Sequence, residues 1–428
     1  MPDRTELLAI ATLHKRSMSP GFPRLLVATE FSPNASGGGP AVVRQMLRDW
    51  PADRLFWWSC SGETEKPFGR DVAGHRVASI PKKLYPQRKL PRVKAWWLEQ
   101  LWVPWAARQL RLAIRDFQPE AIWVIPHQWS ILPLKTALST SRIGFHVTMQ
   151  DYADSRSNAA RIGLNRGRRF AAAARLLYRD ATTRDATSHP MIEDLERSTS
   201  CSAAQMLHAG LEQDDLRALG SIGSSTHPAI RIAYAGTIIV EDVFTAFVDA
   251  LKSLRPKQNR PIELHLFSAH SYRNRPWFDP DWMSENGNLP EAELAARLKE
   301  CTWGFAPMAL GDDDPQYNRF SFPTKFISYL AAGLPIITLG HSRSSVTKMA
   351  RDYRVGICLD ESNAGDVASA LGVALNLPEP RRFFREEITR CARQEFDATK
   401  MRHTLHRCFE ECVRATNQSS ACGSFIQR

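Results

Sequence analysis

Several familiar functional signatures are missing from this sequence, and each absence narrows the possible functions. The eight cysteines form no C-x-x-C pair, so zinc-ribbon and thioredoxin-type chemistry have no support, and free thiols in a reducing compartment are expected. No stretch approaches the ~18 consecutive apolar residues that a membrane-spanning helix needs. No internal repeat and no long low-complexity segment are found. We therefore expect a protein that can touch a membrane but does not cross one.

The first apolar run of the chain lacks the charge pattern of a secretory signal. Leu7 to Leu13 is apolar, but Asp3 and Glu6 precede it, where a signal peptide carries positive charge. A cytoplasmic location is therefore expected.

Positive charge is in excess. The 56 Lys and Arg residues outnumber the 45 Asp and Glu residues, which gives a formal net charge of +11 over 428 residues. This balance suits nucleic acid, anionic lipid or phosphorylated substrates, and equally a basic surface with no such partner. Because no RNA- or DNA-binding motif accompanies the charge, we expect no nucleic-acid partner.

Short apolar runs alternate with helical stretches along most of the chain. This alternation predicts parallel sheets covered by helices on both faces. The pattern is interrupted over residues 212–229, where Gly, Ser and Pro are frequent, and then restarts. The predicted strands are Arg24–Thr29, Arg54–Ser59, Glu120–Ile125 and Gly144–Thr148 before the interruption, and Ile230–Ala235, Ile262–Phe267, Trp303–Ala306 and Pro335–Thr338 after it.

The predicted fold is α/β, with two doubly wound, Rossmann-like domains that face each other across a cleft and a C-terminal helix. Ligands of such sheets bind beyond the carboxyl ends of the strands, so the cleft is the expected site. The expected limits are a flexible lead-in over 1–22, a first domain over 23–211, a linker over 212–229, a second domain over 230–395, and a C-terminal helix and tail over 396–428.

A glycine-rich loop follows the first predicted strand. Gly37, Gly38 and Gly39 precede Pro40, which suits the first turn of a helix. Glycines let the backbone approach a ligand, and a helix N-terminus attracts anions, so a phosphate or a sugar hydroxyl could sit there. The spacing matches neither a dinucleotide fingerprint nor a P-loop, and a turn without a ligand is an equal alternative.

A second and stronger motif covers residues 317–335. A polar loop leads into a helix that is expected to start near Pro323 and to stop at Gly333, ahead of a buried strand. Thr324 and Lys325 would lie in the first helical turn. A lysine there opposes the helix dipole, which favours a bound anion such as a diphosphate beside it. The alternative is a surface lysine that reaches into solvent.

The segment Phe322-Pro-Thr-Lys-Phe-Ile-Ser-Tyr-Leu-Ala-Ala-Gly-Leu-Pro-Ile-Ile337 resembles the donor-site signature of retaining GT-B glycosyltransferases of family four, in its P-S-K…E-Y-L-A-A-G-x-P form. Pro33–Pro40 resembles the N-terminal glycine loop of that family, Ala233–Thr237 the start of its second domain, and Val355–Asp360 its late strand and loop. These segments follow in the family's order, and the resemblance covers about residues 23–415.

The resemblance implies a nucleotide-diphosphate sugar held mainly by the second domain, retention of anomeric configuration, and no obligatory metal or cofactor. Lys325 would contact the diphosphate, and the glycine loop would approach the phosphates or the sugar from the first domain. The donor-site candidates are Gly37, Gly38, Gly39, Gly236, Thr237, Asn318, Arg319, Pro323, Thr324, Lys325 and Ser328.

The sequence departs from the family pattern at two acidic positions. Family members usually carry two acids separated by seven residues, which hold donor hydroxyls, but Phe320 and Ser328 stand there in this chain. Backbone groups are one possible replacement. The side chains that could substitute are Asp312, Asp313, Asp314, Asn318 and Arg319.

The loop after Gly236 also departs from the family. It lacks the usual Arg/Lys pair and offers Thr237 and then Glu241 and Asp242. Two anions beside a diphosphate are unfavourable, so this part of the loop is expected to point elsewhere.

Two first-domain residues follow predicted strands and are the catalytic candidates. Asp151 stands where the family often places a His-Asp pair, and it could orient a sugar or acceptor hydroxyl or act as a base. An Asx turn that ends the strand is an equal alternative. His127 follows the strand over 120–125 and could reach the cleft, although a lone histidine is more often structural.

Residues 81–111 combine basic and aromatic side chains, with Glu99 as their one acid. A membrane interface is one explanation, which would fit a lipid-linked acceptor, and packing of the aromatic face into the core is the other. The predicted helical face holds Trp97, Leu98, Leu101, Trp102 and Trp105.

Together these features predict a glycosyltransferase that moves a sugar from a nucleotide-diphosphate sugar to an unidentified glycan or lipid-linked acceptor. Polysaccharide or glycolipid biosynthesis at the inner face of the cell membrane is the expected setting. Because the acid pair is absent, the alternative is a non-catalytic GT-B protein that binds a nucleotide sugar or a partner.

Overall fold

Two parallel six-stranded sheets organise the chain. The computed structural model describes residues 21–33, 38–61, 71–85, 90–154, 163–221, 227–311, 314–360 and 364–425. The first sheet consists of β1 Leu25–Thr29, β2 Leu55–Ser59, β3 Gly74–Val77, β4 Ala121–Ile125, β5 Phe145–Met149 and β6 Thr183–Ala186, in the order β3-β2-β1-β4-β5-β6.

The second sheet repeats this arrangement. It consists of β7 Ile230–Ala235, β8 Ile262–Phe267, β9 Met283–Glu285, β10 Trp303–Pro307, β11 Ile336–Leu339 and β12 Gly356–Leu359, in the order β12-β11-β10-β7-β8-β9. All of its strand pairs are parallel. The predicted pair of doubly wound domains is therefore confirmed.

Helices cover both faces of each sheet, which explains why the central strands are apolar throughout. Those of the first half are α1 Gly38–Met46, α2 Pro91–Trp97, α3 Val103–Phe117, α4 Ile131–Leu138, α5 Leu164–Asp180 and α6 His189–Thr199. Those that follow are α7 Gln213–Ala218, α8 Glu241–Leu254, α9 Glu291–Lys299, α10 Pro315–Phe320, α11 Thr324–Ala331, α12 Ser345–Tyr353, α13 Ala364–Leu375, α14 Pro380–Phe383, α15 Arg385–Glu395 and α16 Ala398–Phe425.

The predicted linker contains ordered structure. Helix α7 and the 3₁₀ turn Leu219–Ser221 lie within residues 212–229, and Leu216 and Leu219 are buried in the core of the second sheet. The apolar spacing of these two leucines outweighs the glycine and serine content around them. The domain limits given above stay a prediction.

The C-terminal helix α16 returns to the first domain. Leu405, Phe409 and Cys412 are buried against the face of the first sheet that α1 also covers. The chain crosses between the domains at Leu211 and again at Asp397, and these two crossings pair side by side through backbone hydrogen bonds. The predicted helix over 400–415 is thus confirmed, and it is longer at both ends.

The aromatic segment after β3 differs from the prediction. A π-helical turn, Leu98–Trp102, joins α2 to α3 and changes the facing of the side chains, because it holds more residues per turn than an α-helix. Leu98 and Trp102 are buried, whereas Trp97, Leu101 and Trp105 are exposed. The single helical face predicted for these five residues is therefore wrong, and the segment has both a core side and an exposed side.

Candidate active site

The donor edge of the cleft starts at the carboxyl end of β7. Gly236 has a φ of +99°, a left-handed backbone conformation that favours glycine, and the chain turns there into an exposed loop at Thr237. The hydroxyl of Tyr234 donates to the backbone oxygen of Thr237 at 2.7 Å. Glu241, beyond this loop, accepts a hydrogen bond from Trp277 and pairs with Arg275, so its charge has a partner within the second domain.

Helix α11 begins at Thr324, as the sequence predicts, with Pro323 at its N-cap. Lys325 lies in its first turn, and its Nζ donates to the Tyr234 hydroxyl at 2.8 Å and lies 4.0 Å from the centre of the Tyr234 ring. Within the described residues, no carboxylate pairs with Lys325. A lysine with only neutral partners at a helix N-terminus makes this a place for an anion.

The ionisation of Lys325 reflects this environment. Burial lowers the pKa of Lys325 to about 7, because few neighbouring charges compensate for the loss of water around the ammonium group. An anion bound beside the lysine would favour its charged form and raise that pKa. The site is therefore prepared to take up a proton together with an anionic ligand.

Gly38 and Gly39, the first residues of α1, lie close to α11 and to the end of β5. A Cβ atom on Gly38 would lie 3.2 Å from Cγ2 of Thr324, and one on Gly39 would lie 2.7 Å from Oε1 of Gln150. Glycine at these positions therefore lets α1 begin directly against the first turn of α11 and the end of β5. Gly37 lies outside the described residues.

The other donor-site candidates have structural contacts. The Asn318 side chain is buried and donates to the backbone oxygens of Ala309 and Gly311, which fixes the loop after β10. Arg319 is half-buried on the same helix, α10. The Ser328 hydroxyl points back along its own helix, 3.5 Å from the backbone oxygen of Thr324. Of the three acids considered as replacements, Asp314 caps α10 through the backbone N–H of Tyr317, and 312–313 lie outside the described residues.

Phe320, at the first position where an acid is usual, packs across the cleft. Its ring contacts that of Tyr152 in the first domain, with centroids 5.0 Å apart, and its backbone oxygen accepts from the Ser188 hydroxyl at 2.7 Å. The phenyl ring thus contributes an aromatic contact between the two domains at a position where the family usually has an acid.

The acceptor edge is formed by the carboxyl ends of β1, β4 and β5. Asp151 follows β5 and accepts, at 2.8 Å, a hydrogen bond from the Ser321 hydroxyl of the second domain. His127 follows β4, and its Nδ1 contacts the carboxylate of Glu30, which follows β1. The structure thus brings both catalytic candidates to one edge.

Burial raises the pKa of Asp151 above its usual range, although the nearby charge of His127 and the hydrogen bond from Ser321 act in the opposite direction. The neighbouring Tyr317 hydroxyl has its pKa raised to about 12, mainly by burial and further by Asp151. A carboxylate of this kind can accept a hydrogen bond or a proton from an acceptor hydroxyl near neutral pH.

Three residues of the site were not predicted from the sequence. Tyr234 was treated as part of a strand, Ser321 as part of a loop, and Glu30 as the start of the glycine loop. Glu30 and Tyr234 lie at the ends of predicted strands, where ligand contacts concentrate, so that position was the available signal. Ser321 acts through a contact between domains, which the local sequence does not reveal.

The described residues contain no group of three or more His, Cys, Asp or Glu side chains that could hold a metal ion. They also contain no helix that is both long and apolar enough to span a membrane.

No family model matches the sequence, and no curated protein matches it. Solved structures do share its fold. A sucrose-phosphate synthase from Thermosynechococcus elongatus is 13% identical, with a TM-score of 0.64 over 92% of this chain and 100% of that one. An α,α-trehalose-phosphate synthase (UDP-forming) from Burkholderia xenovorans, in complex with glucose-6-phosphate, is 14% identical, with a TM-score of 0.60 over 90% and 100% of the two chains.

A trehalose-6-phosphate structure from E. coli bound with UDP-2-fluoro glucose is 10% identical, with a TM-score of 0.61 over 90% of this chain and 98% of that one. At these identities the likeness shows the fold, and it spans both domains. The protein has the two-domain GT-B fold of glycosyltransferases.

Proposed function

We propose that this protein is a retaining glycosyltransferase that moves a sugar from a nucleotide-diphosphate sugar to a hydroxyl of a glycan or lipid-linked acceptor, in polysaccharide or glycolipid biosynthesis at the inner face of the cell membrane. Retention rests on the family resemblance of the segment 322–337, and a lipid-linked acceptor would fit the basic and aromatic segment 81–111. The donor class also has support from the E. coli structure, which is bound with UDP-2-fluoro glucose.

One observation carries the proposal: the first turn of α11 holds Lys325 beside Tyr234 and Gly236, without a carboxylate partner among the described residues, while Thr324 of the same turn meets the start of α1 in the opposite domain. When the bond between the sugar and the diphosphate breaks, negative charge develops on the departing diphosphate. The lysine and the helix N-terminus would stabilise that charge, and Gly236 and Gly38 leave room for the backbone to approach it.

The acceptor edge would supply the second half of the reaction. The Asp151 carboxylate would accept a hydrogen bond from the attacking hydroxyl and, as the new bond forms, its proton. His127, oriented by Glu30, would hold a second hydroxyl of the acceptor or the donor sugar. No step in this scheme depends on a metal ion.

The test is a panel of nucleotide sugars, scored first for binding by calorimetry and then for release of nucleoside diphosphate with and without a mixture of acceptors. Mass spectrometry of the purified protein would identify a donor that co-purifies. We expect binding of one nucleotide sugar and its turnover. Binding without turnover across the acceptors would instead favour the non-catalytic alternative, which the phenyl ring of Phe320 at an acid position supports. No binding of any nucleotide sugar would overturn both.

A further inference from the structure

The exposed apolar side chains of the protein are concentrated in one place. Of the eleven large apolar side chains that are exposed in the described residues, seven lie between residues 85 and 105. Trp96, Trp97 and Trp105 are 53%, 44% and 44% exposed, and they are the exposed tryptophans of the described residues. The aromatic face, as we name it, consists of Leu90, Val93, Trp96, Trp97, Leu101 and Trp105.

The aromatic face belongs to an ordered part of the first domain. The π-helical turn Leu98–Trp102 directs Leu98 and Trp102 into the core and leaves Trp97 and Leu101 in solvent. A pocket of about 290 Å³ lies between these exposed side chains and the segment after β3, and its lining is mostly apolar. Glu99, the one acid of the segment 81–111, pairs with Arg166 and Arg169 of α5. The helices that carry the face are thus fixed to the domain on their inner side.

The charges around the aromatic face have one sign. Exposed cations border it on the helices and on the preceding loop, and the single acid of the segment is neutralised by α5. These cations are Lys82, Lys83, Arg92, Arg108, Arg168 and Arg169. Tryptophan beside lysine and arginine is the composition of proteins that bind at the interface of an anionic bilayer, where the rings enter the headgroup region and the cations contact lipid phosphates.

The aromatic face lies at the same edge of the first sheet as the acceptor residues. Helix α2 follows β3 and therefore begins at the carboxyl end of that strand, as in other crossovers of parallel sheets. Trp102 confirms the placement, since its indole N–H donates at 3.2 Å to the backbone oxygen of Ser79, just beyond β3. Its ring also lies 6.4 Å from that of Trp129, two residues after His127.

We propose that the aromatic face docks the protein on an anionic lipid bilayer and so presents the acceptor edge to that surface. The occupant is the lipid surface, because the exposed cations named above complement the charge of an anionic bilayer and the exposed tryptophans suit its headgroup region. If the proposed function holds, the acceptor is a molecule with a lipid anchor whose reacting hydroxyl lies at headgroup depth.

The test is co-sedimentation of the full chain with phosphatidylcholine vesicles, with and without phosphatidylglycerol. We expect binding only to the vesicles that contain phosphatidylglycerol. Trp96→Ala/Trp97→Ala/Trp105→Ala and, separately, Lys82→Glu/Lys83→Glu should each weaken that binding by about tenfold or more. The matched controls alter exposed residues of the second domain, Val373→Ala/Phe383→Ala and Lys257→Glu/Lys299→Glu, and should bind as the unaltered chain does.

A second measurement tests how deeply the tryptophans enter the bilayer. Acyl chains brominated near the headgroup should quench part of the tryptophan emission of the unaltered chain, and the triple tryptophan variant should lose that quenching. Unchanged vesicle binding by the triple variant would overturn the proposal. A second result would also overturn it: the unaltered chain binds no vesicles but self-associates, and the triple variant does not self-associate. The aromatic face would then join two copies of the protein.

Failure of the docking proposal can be distinguished from failure of the proposed function. Vesicle binding is measured without a nucleotide sugar, so it does not depend on turnover. Release of nucleoside diphosphate without vesicles is measured on the same variants and should be unchanged, because none of the altered residues belongs to the donor or acceptor edge.

Discussion

The donor edge and the acceptor edge face each other across one cleft and are built from opposite chemistry. The donor edge offers a glycine turn, a helix N-terminus and Lys325, whose contacts are with a neutral tyrosine. The acceptor edge offers Asp151, His127 and Glu30, which are already engaged with polar partners. One edge is thus short of negative charge until a ligand arrives, and the other holds carboxylates that can receive a proton. Under the proposed function, the first edge would stabilise the leaving diphosphate and the second would activate the acceptor hydroxyl.

The largest expected effect tests the acceptor edge. Asp151→Asn keeps the shape and a hydrogen bond to Ser321 but removes the basic oxygen, so turnover should fall by roughly 100-fold while donor affinity changes little. In the unaltered chain, turnover should decline towards acid with an inflection above the usual aspartate range, because burial raises the pKa of Asp151. Steady-state rates and calorimetry of both proteins check this.

A drop in donor affinity equal to the drop in rate would contradict the assignment of Asp151 to the acceptor edge. Ser321→Ala is the milder companion, since it removes only the partner of the carboxylate. Its turnover should fall by only a few-fold.

The next effect tests the donor edge. Lys325→Met preserves the length of the side chain but removes its charge, so affinity for the nucleotide sugar should weaken by about 30- to 100-fold, the cost of one charged hydrogen bond or slightly more. Lys348→Met, at a half-buried lysine of the same domain that pairs with Glu193, is the control and should bind normally. If the two variants bind the nucleotide sugar with equal affinity, Lys325 does not contribute to donor binding.

The pH dependence of donor binding is a second test of the role of Lys325. The empty site holds Lys325 at a pKa of about 7, and a bound diphosphate would raise that value. Binding therefore takes up a proton above pH ~7, and the dissociation constant should rise with pH there, by at most about tenfold per unit. Below that pH the lysine is already charged, and the dependence should disappear. Lys325→Met should show none of this dependence.

A smaller effect tests the contact between the edges. Gly38→Ala places a methyl group 3.2 Å from Cγ2 of Thr324 and should raise the KM for the donor about three- to tenfold, because α1 can no longer begin directly against α11. Thr324→Ser removes that Cγ2 atom. In the double variant Gly38→Ala/Thr324→Ser, the KM for the donor should return most of the way to that of the unaltered chain. A KM that stays raised would mean that the contact between Gly38 and Thr324 does not cause the effect.

The smallest effect concerns an ion pair that joins the two domains. His189 on α6 contacts Glu395 on α15 at 2.6 Å, and that hydrogen bond raises the pKa of the histidine. The contribution to stability is complete below about pH 6.5 and is lost as pH rises through the raised value. His189→Gln should lower the melting temperature by about 1–2 °C at pH 6 and by nothing at pH 9.

The exposed His270 gives the control for that measurement. His270→Gln should leave the melting temperature of the chain unchanged at both pH values. A difference between the unaltered chain and His189→Gln that is the same at both pH values would mean that the pair acts through packing.

Most of the fold could be predicted from the sequence, because the central strands are continuous apolar runs. Strands β1, β4 and β7 were found for that reason. Strand β6, Thr183-Arg-Asp-Ala186, is not predicted because its residues are mostly polar: the side chains of Thr183 and Asp185 each form a hydrogen bond with the buried His146. Such pairing depends on the neighbouring strand and leaves no local signal.

The site was less predictable than the fold. Lys325 was identified because a lysine in the first turn of a helix opposes the dipole, a local anomaly that one sequence displays. The role of Phe320 and the contact of Ser321 with Asp151 come from the meeting of the two domains. The π-helical turn that exposes Trp97 could not be predicted from the sequence either, because helical periodicity assumes a constant number of residues per turn.

The return of α16 to the first domain bears on how the chain is made. Leu405, Phe409 and Cys412 form part of the core beneath the first sheet, and they are synthesised after the whole of the second domain. The second domain, whose core ends at Phe396, is therefore fully synthesised before the first domain has all of its own core. N-terminal domains usually fold first during synthesis. In this protein the first domain must wait, with the surface under β1 and β4 uncovered, until the second domain and α16 have been synthesised.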